Sequence, residues 1–138
     1  MGNRGVYKVL KELGMTEEEI TKAFEVNKNL SFVIGSDVIQ MIEFYKTYGL
    51  SDEEIIKIEN ANPYFLTESF VRIRFLEEDY ERLGIKDLGQ LLLKHPGAMS
   101  INPQELYDYI NKNLEEGKSL DEIREDIMEN YESLFKYM

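Results

Sequence analysis

Apolar residues recur at spacings of three and four along most of this chain, which is the periodicity of an amphipathic helix. The stripe formed by Ile42, Tyr45 and Tyr48 ends directly before a glycine, a residue favoured just past the end of a helix. Alternating runs of strand length are missing apart from residues 32–34, which helix patterns bracket. The pattern therefore predicts an all-α fold. The predicted helices lie near residues 4–13, 16–28, 36–48, 51–61, 68–83, 87–95, 103–115 and 119–136.

Four glycines mark an internal repeat, since Gly14, Gly49, Gly84 and Gly117 are spaced 35, 35 and 33 residues apart. After each glycine, a residue able to cap a helix precedes an acidic or amide residue by three positions, the spacing of a capping box. The predicted pairs are Thr16 with Glu19, Ser51 with Glu54, Asp87 with Gln90, and Ser119 with Glu122. Each glycine is thus predicted to separate two helices.

A second marker ends the first helix of each unit. Asn27, Asn62 and Asn130 lie 13 residues past their glycines, and His95 takes the matching place in the third copy. Prolines follow at positions 63 and 96, where they stop a helix because they lack a backbone donor.

Helical units of this kind bury their apolar stripes only by stacking on one another. The repeat therefore predicts one domain over residues 1–138, a small α-solenoid of about three units. The units are predicted at 14–48, 49–83 and 84–116, with half units at 1–13 and 117–138.

The amino-acid composition excludes several kinds of chemical site. Hydrophobic residues make up 43% of the 138 residues, which is enough to build a core. The absence of cysteine excludes disulfides and thiolate zinc sites. The single histidine, His95, is expected to serve a helix end rather than catalysis. We expect no enzyme activity, no catalytic residue, no metal and no cofactor. With no apolar run long enough for a membrane span and no signal-peptide pattern, a cytoplasmic location is expected.

Charge bears on the choice of partner. Sixteen Lys and Arg face 27 Asp and Glu, giving a net charge of −11, and no segment is net basic when charges are counted over 1–48, 49–83, 84–116 and 117–138. A nucleic-acid surface normally carries a basic patch, so the sequence favours a non-enzymatic module that binds a protein or peptide, with a basic partner attracted by the acidic surface. A further alternative is an acidic mimic of nucleic acid. Tyr131, Phe135 and Tyr137 are candidate contact residues, which either seal the last unit or mediate dimerisation.

The repeat resembles that of the mitochondrial transcription termination factor (mTERF) family. The segment Tyr48-Gly49-Leu50-Ser51-Asp52-Glu53-Glu54-Ile55, followed by Asn62-Pro63-Tyr64-Phe65-Leu66, carries the match. A looser copy joins residues 83–85 to residues 95–99. The resemblance covers roughly residues 13–115, with a divergent copy at 117–135. It departs at Lys28 and Tyr131, where the first and last copies lack the proline.

The resemblance implies a right-handed, curved stack of helices whose concave face binds nucleic acid in transcription or translation control. Such binding uses Arg and Lys along the groove, and the candidates here are Lys57, Arg72, Arg74 and Arg82. Arg72 and Arg74 fall close to opposite faces of one helix, about 160° apart, and Arg82 lies about 80° from each, so these cations form no continuous stripe. Nucleic-acid binding is therefore the alternative that the resemblance supports and the net charge disfavours.

Overall fold

The computed structural model describes residues 3–135, and within this range it is helical with no strand. The predicted all-α fold is confirmed, and the ends of the α-helices lie within two residues of the predicted ones. The α-helices are α1 (Arg4–Leu13), α2 (Glu17–Val26), α3 (Gly35–Lys46), α4 (Asp52–Ala61), α5 (Phe70–Arg82), α6 (Leu88–Lys94), α7 (Pro103–Glu115) and α8 (Leu120–Leu134). Two 3₁₀ turns that the sequence did not predict, Lys28–Ser31 and Phe65–Thr67, follow α2 and α4.

The described chain divides into two compact units, with the boundary between Thr67 and Glu68. The sequence predicted a single domain, and the predicted repeat unit 49–83 is shared between the two. The first unit contains α1 to α4 and the second contains α5 to α8. The helices that precede the repeat glycines explain this division, because α1 packs against α3 and α5 packs against α7.

The repeat glycines occupy the conformation that their spacing predicted. Gly14, Gly49, Gly84 and Gly117 have φ angles of 119°, 87°, 83° and 93°, in the left-handed region that favours glycine. The capping boxes at Thr16, Ser51 and Ser119 are complete. Asp87 makes half of a box, since its side chain accepts a hydrogen bond from the Gln90 backbone N–H at 3.0 Å.

The second marker of the repeat acts differently in the last copy. Asn27, Asn62 and His95 end their helices with extended or nearly extended backbone. At Asn130 the backbone is also non-helical (φ −122°, ψ 21°), yet α8 continues past it to Leu134. No proline follows Asn130, so the chain bends there and can resume the helix.

Asn27 also ties two copies of the repeat together inside the first unit. Its side-chain amide donates to the Pro63 carbonyl at 2.9 Å and to the Thr67 hydroxyl at 2.8 Å. Its carboxamide oxygen accepts from the Asn29 backbone N–H at 3.0 Å. The side chain is fully buried, and these bonds satisfy it there.

Equivalent tyrosines serve the cores of the two units. Tyr45 and Tyr80 each lie four residues before a repeat glycine and are fully buried. The Tyr45 hydroxyl donates to the Phe65 carbonyl at 3.0 Å, and the Tyr80 hydroxyl donates to the Ala98 carbonyl at 2.6 Å. Each unit therefore uses the same bond to join a helix to the turn that follows the next short helix.

Candidate functional site

The four cations singled out from the sequence are divided between the two units. Lys57 is exposed on α4 in the first unit, whereas Arg72, Arg74 and Arg82 lie on α5 in the second. Arg72 donates to the Ile101 carbonyl at 3.1 Å. Arg82 donates to the Asn111 side chain at 2.9 Å and lies 4.0 Å from Asp79. Two of the three arginines thus hold α5 to the segments that follow it.

Arg74 lines a shallow groove in the second unit, but its surroundings are acidic. Glu77, Glu78, Glu81 and Lys86 lie along the same groove. A phosphate placed there would face more carboxylates than cations, and the repulsion would oppose its binding. The arrangement at α5 therefore agrees with the expectation that its arginines form no stripe.

The C-terminal aromatic residues lie in the interior of the second unit. Tyr131 is fully buried and Phe135 is 4% exposed. The centroids of their rings lie 5.1 Å apart, and the ring centroids of Tyr109 and Phe135 lie 5.3 Å apart. This placement corrects the candidate dimerisation role for these two rings, which are too buried to form a contact surface, and fits the alternative that they seal the last unit. Tyr137 lies outside the described residues.

The first helix carries a set of cations that the sequence analysis did not single out. Arg4, Lys8 and Lys11 are spaced four and three residues apart, which places them within an arc of about 60° on α1. All three are exposed, and none makes a salt bridge within residues 3–135. We call these residues the basic stripe.

Equivalent positions on the other helices show why the basic stripe is distinctive. The corresponding residues, counted back from each repeat glycine, are Ile39, Glu43 and Lys46 on α3; Arg74, Glu78 and Glu81 on α5; and Tyr107, Asn111 and Leu114 on α7. Among the described helices before a glycine, α1 therefore has three cations on this face where each of the others has at most one. The sequence signal for the basic stripe was the spacing of its cations by four and three residues. Counting charge over longer segments misses it, because nearby acidic residues cancel the cations in the sum.

The start of α1 is held firmly against the segment before α3. Asn3 caps α1 by accepting from the Val6 backbone N–H at 3.1 Å. Its side-chain amide also donates to the Leu30 carbonyl at 3.2 Å and to the Val33 carbonyl. Further along, the Tyr7 hydroxyl donates to Glu17 on α2 at 3.0 Å. These bonds hold α1, and with it the backbone of the basic stripe, in place against the rest of the first unit.

Two glycines allow the same two segments to approach closely. A Cβ atom at Gly35 would lie 3.1 Å from the Gly5 carbonyl oxygen, which is closer than ordinary van der Waals contact. The backbones of α1 and α3 therefore touch at their first turns. Arg4, which directly precedes Gly5, is exposed beside this contact in the chain.

One buried and one partly buried carboxyl group have pKa values raised by their surroundings. Burial raises the pKa of Glu59 well above its usual range, and the nearby Leu66 backbone offsets only part of this. Burial raises the pKa of Glu68 to about 7, against an opposing effect from Arg72. Within the described residues no group of three or more His, Cys, Asp or Glu is arranged to hold a metal ion.

The all-α repeat and the exposed cationic helix define a helical-repeat protein with a candidate binding surface. The family model named mTERF matches residues 3–137, and the chain therefore belongs to the mTERF family. Comparisons with curated proteins and with solved structures give no match. Family membership favours the nucleic-acid alternative over the protein partner that the net charge favoured. No helix in residues 3–135 is long and apolar enough to span a membrane.

Proposed function

We propose that this protein is a non-enzymatic nucleic-acid-binding factor that acts in transcription or translation control. The observation that carries the proposal is the basic stripe, three exposed cations on one face of α1 that make no salt bridge among residues 3–135, in a chain of the mTERF family. Cations placed in this way can neutralise phosphates and release their counterions, which supplies most non-specific affinity.

The dimensions of the basic stripe suit a short stretch of backbone. Arg4 and Lys11 are seven residues apart, or about 10 Å along the helix. One strand of a duplex rises about 3.4 Å per phosphate, so the stripe spans roughly three phosphates. The rest of the surface opposes binding, since residues 68–138 carry nine basic and sixteen acidic side chains. A modest, strongly salt-dependent and oriented interaction should result.

The test is fluorescence anisotropy with labelled RNA and DNA at low salt, followed by a salt titration. Neutralisation of up to three phosphates gives a slope of log K against log salt of about −2.7 for duplex and −2.1 for single strands. The variant Arg4→Gln/Lys8→Gln/Lys11→Gln should lose most of this slope and most of the affinity.

A matched control removes three other cations. Lys86, Lys94 and Lys112 are exposed in the second unit, and replacing all three with Gln changes the net charge by the same amount. Under the proposal the control retains the wild-type slope. Equal losses in the two triple variants, or no binding by the wild type at tens of micromolar, would refute it.

A further inference from the structure

Phe32 has the most exposed large hydrophobic side chain in the described part of the chain. It is 83% exposed, and Ile34, two residues later, is 62% exposed. Both belong to the short connection between the 3₁₀ turn Lys28–Ser31 and α3. An isolated apolar residue on a surface is ordinary, so the argument depends on what lies beside this one.

The connection carrying Phe32 is joined to the first turn of α1. The Asn3 side chain donates to the carbonyls of Leu30 and Val33, and these residues flank Phe32 on both sides in the chain. Beyond Ile34, the close contact between Gly5 and Gly35 joins the start of α3 to the same first turn of α1. Phe32 is therefore presented by a connection that is anchored at both ends.

Asn3, which holds this connection, also lies next to one end of the basic stripe. Asn3 directly precedes Arg4, and its side chain bonds to the carbonyl of the residue directly after Phe32. The segment that carries the exposed Phe32 ring and the first turn of the helix that carries the basic stripe are thus bonded to each other within the first unit. This combination is typical of surfaces that bind single-stranded nucleic acid, where cations contact the backbone and aromatic rings stack on the bases.

We propose that this junction selects unpaired nucleic acid, with a base stacking on the Phe32 ring while the basic stripe contacts the adjoining phosphates. The inference rests on the proposed nucleic-acid function and names its substrate class. In a duplex the faces of the bases are covered by their neighbours, so the ring finds no partner there. Phenylalanine has no hydrogen-bonding group, and the contact should therefore tolerate any base sequence.

The experiment compares a labelled single strand with a blunt duplex of the same sequence. Phe32→Ala should weaken single-strand binding roughly five- to hundred-fold, while the salt slope and the duplex affinity stay at wild-type values. Phe32→Trp should retain or improve single-strand binding. Because Phe32 is exposed, both variants should fold, and circular dichroism checks this.

Phe75→Ala is the matched control, since Phe75 is 57% exposed on α5 in the second unit. It should bind the single strand as the wild type does. Strand binding by Phe32→Ala equal to that of the wild type would overturn the inference, and so would equal losses on strand and duplex. A sedimentation change in Phe32→Ala alone, without loss of strand binding, would likewise overturn it and identify a second copy as the occupant. The triple variant of the basic stripe tests the proposed function separately, so failure of the inference can be distinguished from failure of the proposed function.

Discussion

The hydroxyl oxygens of Tyr80 and Tyr131 lie 2.9 Å apart in the core of the second unit. Tyr80 donates its only proton to the Ala98 carbonyl at 2.6 Å, so Tyr131 must be the donor to Tyr80. The chain of bonds runs from α8 through α5 to the turn after α6. The Tyr131 ring also stacks on His95 at 5.0 Å, which joins the last helix to the repeat before it.

The direction of this chain predicts unequal effects of removing the two hydroxyls. Tyr131→Phe removes the bond to the Tyr80 hydroxyl and should lower the free energy of unfolding by about 1 kcal/mol. Tyr80→Phe should cost about 2–3 kcal/mol, because it removes both the bond to the Ala98 carbonyl and the bond to the Tyr131 hydroxyl from the core. Urea unfolding measures both values.

Tyr107→Phe is the control for the tyrosine variants, since Tyr107 is 49% exposed and should change stability by less than about 0.5 kcal/mol. The double variant Tyr80→Phe/Tyr131→Phe should cost less than the sum of the single changes. Additive effects would contradict the hydrogen-bond chain.

Glu59 predicts a pH dependence of stability. The carboxyl is buried in the first unit, and burial raises its pKa more than the nearby Leu66 backbone lowers it. Since the folded state holds the proton more tightly than the unfolded state, the stabilisation is fully present below pH 4.5 and is lost as pH rises through the folded pKa. Its slope is at most about 1.4 kcal/mol per pH unit.

Glu59→Gln should remove this contribution and stabilise the protein at neutral pH. Counted back from the helix end, Glu59 matches Phe24 and Leu92 in the neighbouring copies, so Glu59→Leu should stabilise it further. The measurement is the free energy of unfolding from pH 4 to pH 8, with Glu53→Gln, at an exposed position, as control. A Glu59→Gln profile parallel to the wild type would argue against a buried carboxyl.

The close approach of α1 and α3 predicts a steric cost at Gly35. A methyl group there would press on the Gly5 carbonyl, which is backbone and cannot rotate away. Gly35→Ala should therefore lower the free energy of unfolding by about 1–3 kcal/mol. Ser36→Ala, one residue later and exposed, should be nearly neutral. If Gly35→Ala unfolds at the wild-type urea concentration, the two helices are further apart than described.

Ser51 tests the helix starts on which the repeat was recognised. Its hydroxyl accepts from the Glu54 backbone N–H at 3.2 Å, and Glu54 accepts in return from the Ser51 N–H at 2.9 Å. Ser51→Ala should cost about 1 kcal/mol of unfolding free energy, whereas Ser51→Asp should retain most of it. Equal stability of the wild type and Ser51→Ala would place the start of α4 elsewhere.

Much of the fold was predictable because its signals are local. A helix start is stabilised by a capping residue within three or four positions, so the sequence alone predicted the starts at Thr16, Ser51 and Ser119. The glycine conformation at the helix ends has the same local origin. The 3₁₀ turn Lys28–Ser31 was missed because Asn27, which precedes it, is held by Pro63 and Thr67, and these residues lie far along the chain from Asn27.

The sequence by itself determined the helical periodicity, the repeat marked by four glycines and the family. Each of these depends only on residue types at fixed spacing along the chain. Only the tertiary structure decided which polar and aromatic residues are available. It buried Tyr131, Phe135 and Glu59, engaged Arg72 and Arg82 in internal bonds, and left Phe32 and the basic stripe exposed. Exposure depends on which helices pack together, and packing is a property of residues that are distant in sequence and adjacent in space.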